Sequence, residues 1–280
     1  MKPDARTKLC AVVGHPIAHS LSPAIHNAAL EHDARNAVYL AFDVVPEELE
    51  SFVRGMRSAG AVGLNVTIPH KRAAAALCDV LDARAQEVGA VNTIVFTEGK
   101  AVGHNTDVAG VAQALNEIGE IPPDATALVI GAGGAGRAAA WALVPLVKEV
   151  WVANRTAARA EKLRSSIGRR ARVVPWREVP GAAGTADVIV HATSVGLDAD
   201  DAVLGPYELA KAKRCRALLD LVYGPDETPL VREARRVGIP SADGLMMLVH
   251  QAAAAYELFW NAPAPTDVMR SAALAVARPG

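Results

Sequence analysis

Apolar residues along the chain follow two periods. Short uninterrupted runs read as buried strands, and longer stretches with apolar positions three and four apart read as helices. Leu9 to Val13, Val38 to Phe42 and Ala61 to Val66 are of the first kind. Between them, Ser22-Pro23 opens a helix to about Glu31, with Ser22 as its N-cap and Pro23 in its first turn. Pro46 to Ala59 is amphipathic and is closed by Gly60. Helical stretches through Leu77 and from Asp82 to Val88 come next. Thr93 to Phe96 and Ala101 to Gly103 then read as a hairpin around Glu98-Gly99.

A helix from Val108 to Ile118 and a proline joint, Ile121-Pro122-Pro123, introduce a second set of strands near Ala127, Val150, Val173, Val188 and Leu218. A helix over about Arg137 to Leu146 falls among them, and helices Leu245 to Trp260 and Thr266 to Ala277 end the chain. Strands alternating with helices predict an α/β protein with mostly parallel sheets. The expected division is a first domain of 1–107 and 244–280, its C-terminal helices returning to it, and a second domain of 108–243. With 280 residues the chain is long enough for two cores.

Composition narrows the partners. Lys plus Arg (29) nearly balance Asp plus Glu (30), so no bulk field draws the protein to nucleic acid or to a membrane. No apolar run approaches the roughly 18 residues of a membrane helix, and the first residues lack a secretion signal. Three widely spaced cysteines, Cys10, Cys78 and Cys215, fit reduced thiols in a cytoplasm and offer no disulfide framework. The expectation is a small-molecule substrate, with neither nucleic acid nor membrane as partner, and a monomer or homodimer.

The stretch Val129-Ile130-Gly131-Ala132-Gly133-Gly134-Ala135-Gly136 lies between an apolar strand and an alanine-rich helix. Glycines there permit a tight turn, a close backbone approach to a pyrophosphate, and packing of the helix on its strand. A glycine-rich structural turn is the plainer reading. The second strand is followed by Asn154-Arg155-Thr156 and then Arg159, where an NAD-binding fold usually carries a carboxylate. Two guanidiniums suit a ribose 2′-phosphate and favour NADP, the alternative being ordinary solvated charges.

Four polar clusters fall at strand ends or helix starts. Ser20 and Ser22 suit a carboxylate at a helix N-terminus, or Ser22 serves only as a cap. In Asn65 to Lys71, Thr67 and Lys71 leave a strand end, and a lysine there can hold or shuttle a proton, although a solvated lysine is commoner. Asn92-Thr93 is joined by Asn105-Thr106-Asp107, in which Asp107 is a helix-dipole residue or part of a site. Gln251 places an amide on an apolar helix, as a ligand group or as a satisfied core residue. Together these groups suit a small acid bearing several hydroxyls. A zinc site on His15, His19 and His26 has poor spacing and no carboxylate or cysteine close by.

Taken in order, Gly14 to Pro23, Asn65 to Lys71, Ala90 to Thr93, Asn105 to Asp107, the glycine stretch, Asn154 to Thr156 and Ala242 to Gln251 resemble the shikimate dehydrogenase family. The resemblance runs from end to end. It implies an N-terminal substrate domain, a Rossmann-type NADP domain, and NADP-linked interconversion of 3-dehydroshikimate and shikimate. It makes Lys71 and Asp107 the catalytic pair, Ser20 and Ser22 the carboxylate ligands, and Thr67, Asn92, Asp107 and Gln251 the hydroxyl ligands. It further assigns Tyr223 to the carboxylate, Gly244 to the nicotinamide, and Gly131, Ala132, Gly133, Gly134, Ala135, Asn154, Arg155, Thr156 and Arg159 to the cofactor. Three positions depart from the family pattern: His104, Val108, and His191 in His191-Ala192-Thr193-Ser194. Quinate or an amino analogue as substrate, or a module that senses NADP and shikimate without turnover, are the alternatives.

Overall fold

The fold, a computed structural model, describes residues 3–193 and 208–278, and Ser194 lies outside them. The chain divides into two units, one of Met1–Thr106 with Val249–Gly280 and one of Asp107–Leu248.

The first unit is built from β1 (Lys8–Gly14), α1 (Ser22–His32), β2 (Ala37–Asp43), α2 (Leu49–Ser58), β3 (Gly63–Val66), α3 (Lys71–Ala76), β4 (Val80–Leu81), α4 (Ala83–Val88), β5 (Thr93–Thr97) and β6 (Lys100–His104). They form a six-stranded sheet in the order β2-β1-β3-β5-β6-β4. β1 runs parallel to β2 and β3, whereas β5 lies antiparallel to β3 and also to β6, the latter as the Glu98-Gly99 hairpin requires. Leu64, Val66, Ile94, Leu49 and Val53 fill the core between the sheet and α2.

Two details differ from the sequence reading. Pro46–Glu48 is a turn of 3₁₀-helix before α2 rather than part of it. Ser22 is not the N-cap of α1: Leu21 holds that place without a side-chain bond, and Ser22 lies inside the first turn. Its backbone N–H instead donates to the Ser20 hydroxyl at 3.3 Å, so the cap chemistry has moved two residues upstream.

The second unit contains α5 (Asp107–Ile118), β7 (Thr126–Ile130), α6 (Gly134–Leu143), β8 (Glu149–Ala153), α7 (Ala157–Ile167), β9 (Ala171–Val173), α8 (Val179–Thr185), β10 (Val188–His191), β11 (Ala217–Asp220), α9 (Pro229–Arg236) and β12 (Ser241–Ala242). Its six strands lie in the order β12-β11-β10-β7-β8-β9, every pairing parallel. Strand order therefore reverses at β7, the arrangement of a doubly wound dinucleotide fold. α6 begins at Gly134, three residues before the position periodicity suggested, because Gly133 takes the extended cap conformation and the alanines that follow propagate the helix at once.

α10 (Gly244–Trp260) contains the division between the units, and α11 (Thr266–Ala277) packs on α1 within the first. Phe259 of α10 lies directly against Gly63, where an added Cβ would overlap the phenyl ring. Tyr256 of the same helix receives a hydrogen bond from Arg35 at 2.8 Å. No helix among the described residues is long and apolar enough to cross a membrane.

Candidate active site

In the first unit the carboxyl ends of β1 and β3 meet. Thr67 N–H donates to the Val13 carbonyl at 2.9 Å, and a side chain at Gly14 would put its Cβ 2.5 Å from the Thr67 methyl. Gly14 is thus required by the close passage of the Thr67 turn. The chain then crosses Pro69 and enters α3, whose first residue is Lys71, half-buried. Its carbonyl accepts from Val91 N–H at 2.8 Å, which fixes the start of α3 beside the segment that carries Asn92 into β5.

Asn92 is the centre of a buried polar chain. Its carboxamide oxygen accepts from Thr106 N–H at 2.7 Å and from the Thr93 hydroxyl at 3.1 Å. Its amide donates to the Thr106 hydroxyl at 2.9 Å and to the Gln251 side-chain oxygen at 3.3 Å. From Thr93 the chain continues to the Asn65 amide (3.0 Å), and the Asn65 oxygen accepts from the Tyr39 hydroxyl (2.7 Å). Burial pushes the Tyr39 phenol up while the Ser22 hydroxyl beside it pulls the other way. A linked row of hydroxyls and carboxamides with so little exposure is rigid and leaves little rotamer freedom to lose on binding a polyol. Asn92 and Gln251 are thereby brought together with Thr106, and Ser22 is tied to them through Tyr39 and Asn65.

Four members of that row, Tyr39, Asn65, Thr93 and Thr106, are not among the ligands that the sequence suggests. Tyr39 sits in an apolar run and gives no local polar signal. His104 at the end of β6 faces Asp82 at 2.8 Å. Burial raises the Asp82 carboxyl, but the His104 bond and the backbone N–H of Ala85 more than offset it and hold it below its ordinary value. Asp82 is the N-cap of α4, so His104 braces a helix start.

In the second unit the glycine stretch makes a turn at the strand-order reversal. Gly131 has φ +116°, and its added Cβ would lie 2.7 Å from the Ala192 carbonyl carbon. A Cβ on Gly136 would lie 2.6 Å from the carbonyl carbon of Gly131, which shows how closely α6 passes the turn. Gly133 differs, since nothing lies within 4 Å of its added Cβ. Space at that point, beside the first turn of a ten-residue helix, fits a diphosphate approaching the backbone N–H groups.

Asn154, just past β8, accepts from Ala132 N–H at 3.1 Å and donates to the Thr156 carbonyl at 2.9 Å, so it locks the glycine turn to the next loop. Arg155 and Arg159 are exposed, and neither guanidinium has an ion-pair partner among the described residues. The first turn of α7 has no acidic residue. Donors without a carboxylate suit a phosphate monoester on the ribose better than a 2′-hydroxyl.

Asp107 is buried in the first turn of α5. Tyr223 follows β11, half-buried, its phenol raised by burial. At Gly244 an added Cβ would lie 2.7 Å from the Leu221 carbonyl carbon, so the start of α10 needs a glycine for packing alone. The cysteines are free thiols, and burial pushes Cys10 and Cys215 up to about 12 and Cys78 to about 11. Among the described residues no group of three or more His, Cys, Asp or Glu side chains could hold a metal ion.

Three family models match the chain: the shikimate dehydrogenase substrate binding domain over residues 12–94, shikimate / quinate 5-dehydrogenase over 113–245, and the shikimate 5'-dehydrogenase C-terminal domain over 244–274. The chain is 43% identical to a shikimate dehydrogenase (NADP(+)) of Methanopyrus kandleri, over 97% of this chain and 96% of that protein. Among solved structures it resembles shikimate 5-dehydrogenase of Thermus thermophilus in complex with NADP(H) and shikimate (TM-score 0.86, 41% identity, 95% of this chain and 98% of that one). It also resembles quinate dehydrogenase of Corynebacterium glutamicum in complex with NAD (TM-score 0.89, 31% identity, 96% and 99%).

Proposed function

We propose, because this chain belongs to the shikimate dehydrogenase family, that it catalyses the reversible NADP-dependent oxidation of shikimate to 3-dehydroshikimate. The observation that carries this reading is the pairing, in one chain, of two prepared sets of groups. One is the buried hydroxyl and carboxamide row on Asn92. The other is an open glycine turn at Gly133, followed by two exposed, carboxylate-free arginines. The first suits a ligand with several ring hydroxyls, and the second suits a phosphorylated dinucleotide.

The first unit is the substrate domain and the second the NADP domain. Ser20 and Ser22, at the start of α1, take the substrate carboxylate together with Tyr223, since helix N–H groups and hydroxyls favour an anion. Thr67, Asn92, Asp107 and Gln251 take ring hydroxyls. Gly131, Ala132, Gly133, Gly134 and Ala135 hold the diphosphate, Asn154, Arg155, Thr156 and Arg159 hold the phosphorylated ribose, and Gly244 lies near the nicotinamide. NADP, when bound, supplies the acceptor for the hydride that leaves the alcohol carbon. Lys71 Nζ takes the proton from the same alcohol in oxidation and returns it in reduction, and the Asp107 carboxylate accepts a hydrogen bond from the substrate. The protein acts in the cytoplasm, as a monomer or homodimer. Its free thiols support that compartment.

Lys71→Ala tests the assignment. Oxidation of shikimate, followed as NADPH absorbance at 340 nm, falls by roughly 10²–10⁴ in kcat while KM stays within a few-fold, because a general acid–base group acts in the transition state. An unchanged kcat would remove Lys71 from the mechanism.

A further inference from the structure

His191 ends β10 and Asp220 ends the neighbouring β11, and the sheet register pairs them directly. Their side chains are only 5% and 2% exposed, and His191 Nδ1 lies 2.9 Å from the Asp220 carboxylate. Asp220 also accepts from Val222 N–H at 3.1 Å and from the Thr228 hydroxyl at 2.7 Å. Asp220 accepts at each of these contacts, so the tautomer that completes the set carries its proton on Nδ1. In the neutral ring Nε2 is then an acceptor, and the hydroxyl against it, Thr193, donates. The result is a one-directional chain from Thr193 through His191 to Asp220.

The Thr193 end of that chain adjoins the glycine turn. The Thr193 methyl lies 3.3 Å, and the Ala192 carbonyl carbon 2.7 Å, from where a Cβ on Gly131 would stand. Ala192 N–H donates to the Ile130 carbonyl at 2.7 Å, which holds the segment after β10 beside the residue that enters the turn. We propose that His191 is a positioning residue for the cofactor: bridging Asp220 and Thr193, it holds Thr193 and the adjoining backbone against Gly131 and so fixes the wall of the dinucleotide turn. Imidazole suits the task because it presents a donor and an acceptor on different edges of a rigid ring. The inference rests on the NADP reading above.

The test is a double-mutant cycle on NADPH binding, with Kd read from the fluorescence of bound NADPH and no substrate present. His191→Ala removes the bridge, and Thr193→Val keeps the His191–Asp220 pair while removing the donor, so one variant with an intact buried pair is available if the other unfolds. Each change weakens NADPH roughly 3- to 10-fold, the net worth of one hydrogen bond. The double variant is no weaker than the weaker single variant within about twofold, because both act through one chain. KM for shikimate stays within about twofold, which a general loosening of the fold would not preserve. Unchanged NADPH affinity in a folded variant, or losses that multiply in the double variant, overturns the inference. Wild-type protein that fails to bind NADPH overturns the NADP reading itself.

Discussion

Arg155→Asp separates the two nicotinamide cofactors. Arg155 and Arg159 stand at the carboxyl end of β8 and in the first turn of α7, both exposed, with no acidic residue in that turn. A charge-assisted hydrogen bond contributes about 1.5–3 kcal/mol. Exposure to solvent puts each arginine at or just below the low end of that range, so loss of one costs about 1–2 kcal/mol, or roughly 5- to 30-fold in Kd. An aspartate in its place adds repulsion of the 2′-phosphate, which enlarges the loss at low salt and shrinks it when the Debye length falls to about 3 Å at 1 M salt. NAD lacks that phosphate, so its affinity changes little. The assay is a pair of titrations, NADPH and NADH, at low and high ionic strength. Equal losses for both cofactors, or a loss that salt does not reduce, would refute the claim that the 2′-phosphate is read at this turn.

Three further variants, two of them compared as a pair, give outcomes that follow from the geometry. Gly133→Ala should leave denaturant stability unchanged, since nothing lies within 4 Å of the added Cβ, yet weaken NADPH severalfold. Gly136→Ala drives a Cβ to 2.6 Å from the Gly131 carbonyl carbon and should cost about 1–3 kcal/mol of stability. Equal behaviour of the two variants would contradict the assigned geometry. His26 is buried and stacked on Tyr39 at 4.2 Å, and burial lowers its pKa from 6.5 to about 3. The unfolded chain therefore binds a proton that the folded chain refuses between those values. Stability is then complete above pH 6.5 and is lost as pH falls toward 3, at about 1.4 kcal/mol per pH unit near pH 5. Urea unfolding of His26→Phe should show a slope shallower by about that amount, and an identical slope would show that His26 does not titrate in this way.

Much of this architecture was legible in the order of residues. Five runs in the second half became β7 to β11; β7, β10 and β11 are buried on both faces and read as continuous apolar runs, whereas the edge strand β9 is legible only from its place in the alternation. The two-residue strands β4 (Val80–Leu81) and β12 (Ser241–Ala242) were not legible, since so short a run carries no period and depends on a neighbouring strand for its pairing. At the start of α1, Ser22-Pro23 carries the signal of a cap, whereas the structure has Leu21 at the N-cap and the hydrogen bond between Ser22 N–H and the Ser20 hydroxyl. In the candidate site, strand ends and helix starts could be read locally. The contacts of Tyr39 with Asn65 and of Asn92 with Gln251 join residues 26 and 159 positions apart, and no local pattern encodes them.

The central claim is tested most directly by one steady-state comparison of the wild-type protein, in which shikimate and quinate are each offered with NADP and with NAD and absorbance is followed at 340 nm. The account predicts the highest kcat/KM for shikimate with NADP. Turnover with neither acid and either cofactor, despite NADPH binding, would contradict it and leave a protein that binds the dinucleotide without oxidising the alcohol.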